Sequence, residues 1–172
     1  LRDANDAAVV RRMISHWIGN HPQRGTTAQR ILIAMRYSCE QRAAQLCDQV
    51  LADPHALPTS QVTAMLAASV LRRPHLRPQL IARLSDDRTA HVWQLIASRQ
   101  TKIRTQVRVV ALALLLRLHD TDPRAAGFEE LQADPLLIYR DHSLGFANDA
   151  ARAAAHAKGL TLIRQDEPGS NP

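Results

Sequence analysis

Aromatic side chains are scarce in this chain, at 3% of 172 residues with two each of Phe, Tyr and Trp. A core built with so few rings is aliphatic and alanine-rich. That suits close contact between helices better than a deep ring-lined cofactor pocket, so cofactor enzymes are disfavoured and no cofactor is expected. Glycine is also sparse, at six, and β-branched residues rarely cluster, which leaves little material for a sheet. Lysine is reduced to Lys102 and Lys158 against 20 arginines. The only cysteines, Cys39 and Cys47, are eight positions apart, which fits neither a CxxC redox pair nor a paired zinc-ligand spacing. Two buried thiols are expected. No apolar run approaches the ~20 residues that cross a bilayer, so no transmembrane segment is expected. The chain starts at Leu1 with no initiator Met and no signal-like stretch. It has the look of a portion of something longer, so the cellular address stays open.

Against these absences stands one run, residues 109–116, in which eight apolar residues follow one another between Arg108 and Arg117. Its Ala-Leu content and lack of polar interruption predict a helix buried nearly all round. Around it the chain reads as helices throughout. A first, opened by Asp3 or Asp6, carries Val9, Val10, Met13, Ile14, Trp17 and Ile18. A second begins at Thr26 or Thr27, and a further stretch follows from Ala43 to Leu51; whether the two are one kinked helix or a hairpin turning near Ser38 is left open by propensity. Asp53-Pro54 and Pro58 force a break. Thr59 or Ser60 opens a helix with a stripe of Val62, Met65, Leu66, Ser69 and Val70, and Leu76 to Leu84 gives a shorter one. Residues 86–104 predict a short helix plus a basic loop. After the central run, Gly127-Phe128, Asp134-Pro135 and Gly145-Phe146 punctuate the chain into short pieces. Asn148 or Asp149 then opens an alanine-rich helix ending at Lys158, with Gly159 as its C-terminal stop.

The openings Thr27-Ala28-Gln29, Ser60-Gln61-Val62 and Thr105-Gln106-Val107 place their glutamines 32 and 45 positions apart, which brackets the period of two-helix repeats. The expected fold is all-α: a short α-solenoid of HEAT- or ARM-like helix pairs with an irregular C-terminal cap, one domain over residues 1–164 and a disordered tail over 165–172. Trp93, the run Thr105-Gln106-Val107-Arg108 followed by Val110-Ala111-Leu112-Ala113, Gly127-Phe128 and Leu144-Gly145-Phe146 together resemble a segment of HEAT-like helical-repeat proteins of planctomycete-type bacteria. The resemblance covers about the C-terminal half. The pattern has an acidic residue after the Arg where this chain has Val109. The resemblance implies a helical-repeat fold and assigns no activity.

The net charge of +6 and pI of about 10.3 point toward acidic partners or nucleic acid, but the arginines are spread from Arg2 to Arg164 rather than gathered in a block. No G-x-S-x-G, HExxH, Walker-type loop or G-x-G-x-x-G occurs. His119, Asp120 and Asp122, and the pair Asp141-His142, carry imidazole and carboxylate suited to metal or acid-base work; dipole compensation and turn formation account for them as well. The sequence names no catalytic, cofactor-binding or metal-binding residue. The candidate binding surface is Trp93 with Arg88, His91, Arg99, Lys102 and Arg104, an indole among cations. Two function classes follow: a non-catalytic protein-interaction or scaffolding module, or a nucleic-acid-binding HEAT-like domain related to DNA repair. The position of the arginines discriminates between them.

Overall fold

Two helices, rather than one, form the centre. In the computed structural model, which describes residues 4–20, 27–96 and 100–165, the chain runs through α1 (Ala4–Asn20), α2 (Thr27–Arg36), α3 (Glu40–Ala52), α4 (Pro58–Val70) and α5 (Leu76–Ile81). An antiparallel hairpin follows, β1 (Thr89–Ile96) with β2 (Gln100–Gln106), and leads into α6 (Val107–Leu118). A 3₁₀ turn (Pro123–Ala126), a two-residue pair β3 (Ala133–Asp134) with β4 (Ile138–Tyr139), a second 3₁₀ turn (Asp141–Leu144) and α7 (Asp149–Gln165) complete it. The chain is mostly helical, as expected. The tail expected over 165–172 lies outside the described residues except for Gln165, which ends α7.

α6 buries Val107 and every residue of 109–116. α4 is its equal: residues 60–68 are all buried, where a one-sided stripe was expected. It packs against α2, α3, α5 and α6, and α6 in turn packs against α7. Gln61 and Thr63 of α4 can be buried because each has a partner, the Thr63 hydroxyl donating to Thr59 O at 3.0 Å. Gln61 Nε2 donates to the Asp53 carbonyl at 2.7 Å, and its Oε1 accepts from Arg83 Nε at 2.9 Å. Arg83, only 8% exposed, also donates to Leu51 O at 3.0 Å. The buried guanidinium thereby satisfies the Leu51 carbonyl at the α3 C-terminus, and the amide adds a donor to the Asp53 carbonyl, which also accepts Ala56 N at 3.2 Å. Arg30 does the same for α1, donating to Ile18 O. Cys39 and Cys47 are both free and buried, and burial, with Asp48 adding to it, pushes the Cys47 thiol up to about 12.

The shortage of glycine shows at the helix ends. α2, α4 and α6 each end with a residue in the left-handed region, Ser38 (φ 54), Arg72 (φ 51) and Asp120 (φ 53). In each case the next amide reaches back five residues: Cys39 N to Ala34 O at 2.8 Å, Arg73 N to Ala68 O at 3.0 Å and Thr121 N to Leu116 O at 2.9 Å. This is the Schellman closure, built without the usual glycine. Ser38 thus makes α2 and α3 a pair of helices rather than one kinked rod.

Other expectations are corrected. Among the described residues of 86–104 there is no short helix; they supply most of the hairpin, in register Trp93 with Ile103, Val92 with Arg104 and Gln94 with Lys102, while residues 97–99 of the expected basic loop lie outside the described residues. The apolar cluster Val92, Trp93, Leu95, Ile96 contains both an i, i+3, i+4 set and a period-2 alternation. Alternation wins because the β-branched and aromatic residues gain a pleated partner strand. α1 does not bury its whole apolar stripe: Ile18 is buried and Ile14 packs on the core, while Val9, Met13 and Trp17 are 47, 67 and 45% exposed. α7 does not stop at Gly159, which is buried in mid-helix; a Cβ there would lie 2.8 Å from Leu112 Cδ2. Close approach of α7 to α6, not chain termination, explains that glycine.

Candidate functional site

The period-2 alternation of the hairpin divides the expected binding surface. His91 and Trp93 share one face with Ile103 and Thr105, while Lys102 and Arg104 lie exposed on the other with Val92 and Gln94. Arg99 lies outside the described residues. Arg88 is engaged elsewhere: its guanidinium meets Asp86 twice, Nε to Oδ1 at 2.9 Å and Nη2 to Oδ2 at 2.6 Å, and also donates to Ala56 O and Pro54 O. Burial works to raise the Asp86 carboxyl, but the Arg88 hydrogen bonds and the charges of Arg88 and Arg83 outweigh it and hold the group below the usual carboxylate range. The backbone of the same segment caps α6, since Arg108 N donates to Asp86 O at 2.8 Å and Val107 N to Arg88 O at 3.1 Å. Arg88 is therefore a fastener between the 54–56 turn and the head of the central helix.

The inner face of the hairpin meets residues the sequence kept apart. The 3₁₀ turn Asp141–Leu144 packs on it, joined by paired backbone bonds between Arg104 and Phe146 at 3.0 and 3.1 Å. Gly145 permits this contact, because a Cβ there would fall 2.3 Å from Ile103 Cγ2. His91 Nε2 comes to 3.2 Å from Asp141 Oδ2, an ion pair when the ring is protonated. The His91 ring stacks on Trp93 with centroids 5.2 Å apart, and His142 meets Trp93 edge-on at 5.5 Å. The buried Trp93 Nε1 has no acceptor among the described residues. Thus Asp141-His142, with no third partner visible in sequence, joins His91 and Trp93 in one cluster of two imidazoles, an indole and a carboxylate.

The hydroxyls beside this cluster are not poised as nucleophiles. Thr105, fully buried, donates to Asp141 O at 2.9 Å, and Ser143 donates to Arg140 O at 2.7 Å; a hydroxyl committed to a backbone carbonyl has no base to take its proton. Among the described residues no group of three or more His, Cys, Asp or Glu is placed to hold a metal ion. His119, Asp120 and Asp122 stand in the turn after α6. Asp120 takes the left-handed position, Asp122 Oδ1 accepts the Arg124 amide at 2.9 Å, and His119 Nε2 lies 3.5 Å from Arg77.

His142 stands between two clefts. One, of about 500 Å³, runs past Phe128, Glu129, Glu130 and Phe146; the other, of about 570 Å³, lies between α2 and the β3–β4 turn. Both mix apolar side chains with carboxylates. The buried arginines, by contrast, face inward: Arg30 and Arg83 hold helix carbonyls, and Arg152 pairs with Asp149. No protein-family model, curated protein or solved structure matches the chain.

Proposed function

We propose that the chain is a non-catalytic protein-interaction module, a short HEAT-like array of stacked helices whose irregular cap, residues 127–146, presents the binding surface. The observation that carries this reading is the place of the charge. Arg30, Arg83, Arg88 and Arg152 close helix ends inside the fold or pair with neighbouring carboxylates, the exposed arginines are distributed over α1, α2, α5, β2, α6 and α7 as well as the cap, and the clefts beside the His91, Trp93, Asp141 and His142 cluster join apolar side chains to carboxylates. A polyanion prefers a continuous basic track; a protein partner prefers an apolar centre with a polar rim.

The nucleic-acid reading keeps one observation of its own, the exposed Lys102 and Arg104 on the outer hairpin face. One titration separates the two. With labelled duplex and single-stranded DNA at about 0.15 M salt, the protein reading expects micromolar or weaker affinity that changes little in the Lys102→Gln/Arg104→Gln variant, as non-specific phosphate contact gives. Nanomolar, sequence- or lesion-dependent binding that vanishes in that variant would replace the module by a nucleic-acid-binding domain.

A further inference from the structure

The cleft between α2 and the β3–β4 turn carries an inference that rests on the module reading and sharpens it. Its apolar surface comes from Leu32 and Ile33 on one side and Leu136, Leu137 and Tyr139 on the other, all half-buried. Two guanidiniums, Arg36 and Arg140, line the same space. Both residues are exposed, and neither side chain has a hydrogen-bond, ion-pair or ring partner among the described residues.

The carboxylates of this cleft are already engaged. Asp134 Oδ1 accepts the amides of Leu136 at 2.8 Å and Leu137 at 2.9 Å, while Asp141 lies against His91 and accepts the His142 amide. The cations are therefore left for a group from outside. The turn that presents the leucines is also held in an unusual form. Ile138 sits at φ 68, and Tyr139 N closes back on Leu137 O at 2.8 Å across it. A β-branched residue in the left-handed region persists only where its surroundings over-determine it, and such positions gather at binding surfaces.

We infer that this cleft docks a short segment of a partner protein that carries a carboxylate beside branched apolar side chains. The carboxylate meets Arg36 and Arg140 in charge-assisted hydrogen bonds, and the apolar side chains cover the leucines and Tyr139. A nucleic-acid strand fits less well, because Asp134 and Asp141 line the same cleft and repel phosphates, and the apolar wall offers them nothing.

The test is a phage-displayed random-peptide selection on the immobilised 172-residue chain, with the Arg36→Gln/Arg140→Gln variant as counter-target and a single-stranded oligonucleotide as a separate probe. Both side chains are exposed and unpartnered, so the variant is expected to keep the far-UV circular dichroism of the parent. The expected result is enrichment of peptides combining Asp or Glu with Leu, Ile or Phe, whose synthetic forms lose about tenfold or more in affinity on the variant, the change that lost charge-assisted bonds imply. Enriched peptides that bind parent and variant alike overturn this docking site and leave the module reading standing. No enrichment at all overturns both. Oligonucleotide binding that depends on Arg36 and Arg140, with no such peptide binding, gives the cleft to nucleic acid instead.

Discussion

Arg72 ends α4 in a conformation that costs an L-residue about 1 to 2 kcal/mol relative to glycine, and no side-chain partner among the described residues compensates it. Arg72→Gly is therefore expected to stabilise the fold by about 0.5 to 1 kcal/mol after the greater entropy of an unfolded glycine is subtracted, measured as a higher urea midpoint at unchanged slope. Gly159 predicts the opposite sign. Alanine there gains about 1 kcal/mol of helix propensity, yet its methyl would meet Leu112 inside ordinary contact distance in a fully packed layer. A net loss of about 1 kcal/mol is expected from overpacking. Leu112→Ala alone should lose about 2 to 5 kcal/mol, and the double variant should lose clearly less than the sum of the two, since one change vacates the space the other fills. Strict additivity would show that α6 and α7 do not touch at this point. His156 adds a pH dependence: burial first, then Arg108, lowers its pKa against a raising hydrogen bond to Leu84 O at 3.1 Å. The unfolded chain then binds the proton more readily than the native one. Above the ordinary histidine value, near 6.5, the group contributes nothing to the slope; as pH falls below it, stability falls until the lowered native value is reached. Urea midpoints taken from pH 7 to pH 5 should drop, and His156→Gln should flatten the drop.

At the scale of elements, what was legible in sequence depended on whether partners were local. α6 was readable because eight uninterrupted apolar residues need no neighbour to declare them buried. α4 was not, because Gln61, between Ser60 and Thr63, looks like part of a solvent face until Arg83 and the Asp53 carbonyl arrive from elsewhere in the chain. The hairpin carried both helical and strand periods, and only the pairing of its two arms decides between them. For the same reason the residues of the candidate surface are divided: His91 and Trp93 stand together, Lys102 and Arg104 are turned to the opposite face, and Arg88 fastens the fold. Asp141 and His142 were visible as a pair but not as companions of Trp93, a contact made by the close packing at Gly145. The fastener gives a prediction of its own. Asp86→Asn removes the charge that holds Arg88 and is expected to lower stability by about 1 to 2 kcal/mol. Amide exchange should rise first at Val107 and Arg108, whose hydrogens are held by that segment; faster exchange confined to the hairpin tip would show that the α6 head is held by something else.

For the molecule as a whole, the two buried thiols turn packing into a clock. Only a thiolate reacts with iodoacetamide, and Cys47, fully buried with its proton held up to about 12, has almost none while α3 stays docked. Alkylation of Cys47 at pH 8 should then report the rare openings of the assembly, at the intrinsic rate of a free cysteine multiplied by the fraction of molecules open. Cys39, 8% exposed at the edge of the same helix, should react earlier and through smaller motions. Two separate phases by mass spectrometry, the slower one accelerating in step with added urea, would give the free energies of local and global opening from native side chains alone. A single phase would mean that the α2–α3 end and the centre come apart together.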